Sequence, residues 1–174
     1  KGNFVLDEED TANHVKYEYY KSLYLDVTAT DNDQINDVKY CISSSSCTPS
    51  TSLTLTNDKS TIQMPSASGG EILCVKVTDR VGNITTKCSD EYKVDGNVPT
   101  LSNMTYTNIS NSVTINLTAS DSHSGVYKYL YSKDGGTTFV SSPNSNYTFT
   151  NLEDGSYVFV SKVIDKAGNE SEIK

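Results

Sequence analysis

Lys76-Val-Thr-Asp79-Arg-Val-Gly82-Asn83 returns 86 residues later as Lys162-Val-Ile-Asp165-Lys-Ala-Gly168-Asn169. Each copy follows a run of alternating apolar residues, Leu73, Val75 and Val77 in the first and Tyr157, Phe159 and Val163 in the second. A strand that ends in Asp-x-x-Gly-Asn and reverses is a hairpin with a tight, glycine-containing loop. The spacing is too long for a solenoid unit and suits a small β-domain. The chain therefore reads as two copies of one sandwich-like module.

Working outward, the same pairing extends to other strands. Ser22-Leu-Tyr-Leu-Asp-Val-Thr28-Ala29-Thr-Asp31 matches Ser112-Val-Thr-Ile-Asn-Leu-Thr118-Ala119-Ser-Asp121 at an offset of 90. Leu23, Leu25 and Val27 share one face, and the alignment preserves that inward set. Asp37-Val-Lys-Tyr-Cys-Ile-Ser43 aligns with Val126-Tyr-Lys-Tyr-Leu-Tyr-Ser132 at an offset of 89. The second copy then turns at Asp134-Gly-Gly136, a hairpin signal that the first replaces with Cys41-Ile-Ser-Ser-Ser-Ser-Cys47. Further strands are expected at Ser52–Leu55 and Ser60–Met64, matched by Thr138–Val140 and Tyr147–Phe149. The opening is less regular: Leu6-Asp-Glu-Glu-Asp10 reads as a solvated acidic loop with helix open as far as Asn13, and Val15, Tyr17 and Tyr19 favour a first strand. Pro99 cannot donate to a ladder, so the second module's first strand begins at or after it.

Composition agrees. The chain is rich in Ser, Thr, Asn, Tyr and Val and has no Trp, which favours strands and turns over helices. A formal net charge of −8 argues against nucleic acid and anionic membrane surfaces as partners. No apolar run approaches the ~20 residues that span a bilayer. The abrupt start at Lys1 and the short run after Asn169 read as a fragment of a longer protein, its last strand cropped.

Leu152-x-x-Gly155-x-Tyr157-x-Phe159, followed by Asp165-x-x-Gly168-Asn169, resembles the tandem immunoglobulin-like or fibronectin-III-like repeats of large bacterial cell-surface or secreted proteins. The linker Asp95…Pro99 is similar too. The resemblance covers both modules and implies an all-β chain of two antiparallel Ig-like β-sandwich domains arranged end to end, residues 1–95 and 96–174. It lacks the antibody-type core Trp between an inter-sheet Cys pair, so it concerns architecture and leaves function open. Such repeats serve as stalks, adhesin modules and enzyme-attached spacers alike.

Four cysteines, all in the first module, read as disulfides in an oxidising compartment. Zinc would call for closely spaced Cys-x-x-Cys pairs, which are absent; free structural thiols are the other alternative. Across the Asp79–Asn83 loop Cys74 opposes Cys88, on the face away from Leu73, Val75 and Val77. Cys41 and Cys47 would staple the loop that replaces Asp-Gly-Gly.

The carboxylates Asp31, Asp33, Asp37 and Asp79 crowd one end and could ligate calcium through oxygen. A solvated, Asx-turn-rich loop is the better reading, so no metal and no cofactor is called for. Asp79 and Asp165 are expected to fix their own turns. His14 and His123 stand in no catalytic motif, and the glycine pairs sit in turns, so no enzyme activity is expected. Tyr17, Tyr19, Tyr20, Tyr24, Tyr40, Tyr127, Tyr129 and Tyr131 would make either a sugar-stacking platform or, more commonly, half-buried strand residues. Chance accounts for the glycosylation sequons at Asn83, Asn103, Asn108, Asn116, Asn146 and Asn169.

The leading expectation is a non-catalytic spacer or stalk segment of a secreted or surface-anchored bacterial protein. An adhesin module for host glycan or protein, and an accessory segment of an extracellular carbohydrate-active enzyme, are the alternatives. Its first partners would be neighbouring domains of its own longer chain, and a monomer is expected.

The linker Asp95-Gly-Asn-Val-Pro99 is too short and stiff to let one module fold back along the other. Asp121, His123 and Asp165 would then lie near the junction in a structural role. Strands of ~7 residues with loops at both ends make each module roughly 35–40 Å long. Two in line should give a radius of gyration of roughly 22 Å, against ~16 Å for a compact globule of this length. Small-angle scattering of the monomer checks it, and a value near the compact figure would defeat the end-to-end arrangement.

Overall fold

The computed structural model describes residues 3–8 (backbone path only), 18–32, 34–66 and 69–174. Val15, Tyr17 and His14 lie outside the described residues, as does Asp33. The chain divides into two compact units, Lys1–Asp95 and Gly96–Lys174. Every regular element among the described residues is a β-strand.

In unit 1 one sheet has the order β1-β3-β6, formed by Asn3–Glu8, Tyr24–Thr30 and Lys59–Gln63. The facing sheet runs β5-β4-β7-β8, formed by Thr51–Ser52, Ile35–Ser43, Ile72–Asp79 and Ile84–Cys88. A short parallel pair joins β2 (Tyr19–Tyr20) to β9 (Lys93–Val94). Leu23, Leu25 and Val27 from one sheet meet Val38, Leu73, Val75 and Val77 from the other, all buried. The period-two spacing of these residues places them on one face of each strand.

Unit 2 repeats the plan. β10 (Thr100–Ile109), β11 (Ser112–Ser120) and β14 (Asn146–Phe149) form one sheet, and β13 (Val140–Ser142), β12 (Val126–Ser132) and β15 (Val160–Asp165) the other. Both units thus set three strands against a second sheet built on the pairing of the third long strand with a later one, β4 with β7 and β12 with β15. Unit 2 has no disulfide, and its sheets are joined by aromatic rings. Tyr131 stacks on Tyr147 at 5.4 Å, Tyr147 meets Phe149 edge-on at 4.9 Å, and Phe149 contacts Phe159 at 5.6 Å. Such ring pairs add to simple area burial.

The structure revises the sequence reading at two places. Of the acidic stretch expected as loop or helix, residues 6–8 lie in β1, which pairs antiparallel with β3 from Asn3↔Thr30 to Glu8↔Leu25, and residues 9–13 lie outside the described residues. A ready sheet edge supplies ladder bonds that outweigh the low strand preference of Asp and Glu. The Asp134-Gly-Gly136 turn does join β12 to β13, in a loop whose register closes at Tyr131↔Val140 with both glycines at positive φ. Finally, Val38 pairs with Val77 while Tyr129 pairs with Val163, so β4 and β12 correspond at an offset of 91, not 89. A two-residue slide leaves every side chain on its face, so alternation alone does not resolve it.

That corrected register exposes a repeated bulge. The ladder is interrupted between Ile35 and Asp37 in unit 1 and between Val126 and Lys128 in unit 2. The residue before each bulge has positive φ, Gln34 at 127° and Gly125 at 82°. A Cβ at Gly125 would meet only the Lys166 ammonium, at 3.8 Å, so space is not limiting and the backbone angle alone sets the cost. Gly125→Ala should therefore destabilise unit 2 by about 1–2 kcal/mol, lowering its calorimetric midpoint by roughly 4–16 °C. Gln34→Gly should hold or raise the midpoint of unit 1, and an unchanged midpoint in Gly125→Ala would contradict this account.

Candidate functional site

The repeated turn is built from its own residues. In unit 1 Asp79 accepts from the Val81 and Asn83 N–H groups on Oδ1, at 3.0 and 2.8 Å, and from the Asn83 side-chain amide on Oδ2 at 2.6 Å. In unit 2 the Asn169 N–H and side-chain amide donate to Asp165 in the same way, both at 2.8 Å. The glycine one residue before each Asn has φ near +90°, 90° at Gly82 and 86° at Gly168, which lets the chain reverse. The Asn83 amide is the main cause holding the Asp79 carboxyl below its ordinary range, with the turn N–H groups adding and burial opposing. The turn also ties back to the bulge: Arg80 N–H donates to Gln34 C=O, and Lys166 N–H to Gly125 C=O, both at 3.0 Å.

Of the calcium candidates, Asp79 is spent on this turn. Asp37 faces Lys39 at 3.6 Å, and Asp31 is half-buried. Asp31, Asp37 and Asp79 do not converge as a three-ligand group among the described residues. His123 bonds Asn97 through Nδ1 at 2.8 Å, and its N–H caps Asp121 at 3.1 Å.

Among the described residues several of the tyrosines serve the two cores. Tyr20 and Tyr131 are buried, and Tyr40 and Tyr129 pack against the two cores. The Tyr131 hydroxyl donates to the Asn144 carbonyl at 2.8 Å, and burial raises its pKa above the ordinary phenol range, with Tyr129 adding. The loop after β12 hides another self-satisfied carboxylate, which alternation could not reveal. Asp134 accepts from the Thr138 hydroxyl and N–H and from the Ser132 hydroxyl, and these hold it well below the usual carboxylate range.

The cysteines form two bridges side by side. Cys74 and Cys88 face each other across β7 and β8 with Cα atoms 4.0 Å apart, and Cys41 joins Cys47 across 6.2 Å. Flanking bonds from Ser89 to Leu73 make 74/88 a non-hydrogen-bonded pair, where strands approach most closely. Cys41 is also the β4 neighbour of Cys74, and the sulfurs of Cys41, Cys47 and Cys74 lie within 4.8 Å of one another.

Unit 2 carries an open groove of about 1050 Å³ between β10 and the approach to β15. Met104, Tyr106, Leu152, Tyr157 and Phe159 line it, with Lys174 at one side.

Residues 119–174 match the Y_Y_Y domain family. No curated protein matches the sequence. Among solved structures, the Clostridium thermocellum CbhA fibronectin(III)-like modules are similar over 98% of this chain and 90% of that one, at 17% identity and a TM-score of 0.47. A chain of a cytokine receptor complex is similar over 100% of this chain and 99% of that one, at 15% identity and a TM-score of 0.42.

The adjacency of three sulfurs makes Cys41–Cys74 the natural mispairing. Non-reducing peptide mapping should recover Cys41 with Cys47 and Cys74 with Cys88, and a Cys41–Cys74 linkage would refute the pairing. Removing Cys74–Cys88 by double alanine substitution should cost about 2–4 kcal/mol, towards the low end because the hairpin is local.

Proposed function

We propose that this chain is a non-catalytic spacer segment of a secreted or surface-anchored bacterial protein, joining neighbouring domains of one longer chain. Fibronectin-III-like sandwiches are generally non-catalytic, and function on such folds resides in grafted loops. The observation that carries the reading is the repeated turn. In both units the turn aspartate, Asp79 or Asp165, accepts from the backbone N–H and the side-chain amide of the Asn in its own hairpin. Loop chemistry here maintains the fold. Paired disulfides support an extracellular setting, since such bridges persist in oxidising compartments. An acidic, polar exterior suits a soluble spacer.

The purified chain should bind nothing above background on a glycan array or on a panel of extracellular-matrix proteins. Saturable binding that survives 0.5 M salt would replace the spacer reading with the adhesin one.

A further inference from the structure

We infer that in the reduced chain the four cysteines of unit 1 form a tetrathiolate site for one zinc ion, so that the ion and the two bridges are alternative occupants of one place. The inference is independent of the spacer reading, because it concerns the thiols and not what the loops bind.

Sequence spacing alone argues against zinc, since no Cys-x-x-Cys pair is present. The sheet supplies the proximity that spacing lacks. Cys41 pairs with Cys74 across β4 and β7, and Cys74 with Cys88 across β7 and β8, so three cysteines stand in a row on adjacent strands. Cys47 comes back to that row because the chain beyond it returns to β4. There the Ser50 N–H donates to the Tyr40 carbonyl at 3.2 Å, and Thr51 pairs with Tyr40. The sulfurs of Cys41, Cys47 and Cys74 consequently lie within 4.8 Å of one another, and that of Cys88 is joined to Cys74. Four thiolates around one ion at Zn–S ~2.3 Å stand ~3.8 Å apart, a spacing within the reach of side-chain rotation.

This gathering does not depend on the bridges. The β4–β7 ladder runs from Ile35↔Asp79 to Ser43↔Ile72, and the β7–β8 hairpin is closed by the Asp79 turn. Opening both bridges leaves those backbone pairings in place. The next row of the same face holds Lys39 opposite Lys76, with Asp37 3.6 Å from the Lys39 ammonium. Cations beside a cysteine favour the thiolate, which is the form that ligates metal. Cys88 is exposed and gives an ion its path from solvent. Soft sulfur ligands in a tetrahedral set select zinc over the hard cations that oxygen ligands hold.

Proteins are made where cellular thiols keep cysteines reduced, and bridges form later in an oxidising compartment. In the reduced state the four thiols give up four protons as the ion binds. On oxidation, two molecules of a small disulfide each accept two electrons. The four cysteine sulfurs pair as the two bridges, the oxidant leaves as four thiols after taking up four protons, and the zinc ion departs.

The test uses the whole chain, reduced with a phosphine without oxygen, and cobalt(II) as a coloured probe. One cobalt per chain should bind with the intense visible bands of tetrahedral thiolate coordination, and one equivalent of zinc should remove them. The disulfide-bonded chain should take up neither ion. Cys74→Ala removes the sulfur shared by both pairs and should weaken zinc binding at least tenfold. Amide spectra of the 15N-labelled chain keep the result readable if reduction loosens unit 1: with zinc present, β4, β7 and β8 should show their folded dispersion. Adding a small-molecule disulfide to the zinc-loaded chain should release one zinc for every two bridges formed, read with a chromophoric chelator. A pale octahedral cobalt spectrum, more than one ion per chain, or undiminished zinc affinity in Cys74→Ala overturns the proposal. Zinc bound while those amides stay collapsed overturns it too, as do bridges that form with the zinc retained.

Discussion

A carboxylate folded back on its own hairpin, Asp79 in one unit and Asp165 in the other, is the interaction on which the second sheet of each sandwich depends. Both side chains are buried, and a buried carboxylate is costly unless donors surround it. Here the donors come from no farther than four residues away. The turn therefore closes locally, and its closure pins the register of the adjoining strands. In unit 1 that register runs from Thr78↔Ile84 to Cys74↔Cys88. A one-residue slip would carry Leu73, Val75 and Val77 to the solvent face. The bond from the residue after each Asp to the carbonyl before the bulge then fastens the hairpin to the neighbouring strand.

With that frame shared, the two units stabilise small cores by different means. Domains of this size bury a modest fraction of their surface and profit from additional cross-links. Unit 1 places its bridges on the outer face of the sheet, so Cys74 is buried without belonging to the inner cluster. The core volume is left to aliphatic side chains. Unit 2 has Val160 where unit 1 has Cys74 and invests instead in rings that pass from Tyr131 through Tyr147 and Phe149 to Phe159. A bridge acts largely by restricting the unfolded chain, whereas ring packing acts in the folded state.

The ring series continues outward to Tyr157, stacked on Phe159 at 6.0 Å, and so reaches the groove.

What the sequence by itself determined is the part of the structure set by short-range rules. Alternation marked the core faces of β3, β7 and β11, because a side-chain period of two is a local property of any strand. The Asp-x-x-Gly-Asn turns were legible because donor, acceptor and glycine all lie within five residues. Tertiary structure decided what depends on distant partners. Residues 6–8 of the acidic opening became strand because β3 offered them an edge. The β4 and β12 correspondence moved by two residues because cross-strand pairing with β7 and β15 sets register, and alternation is blind to even shifts.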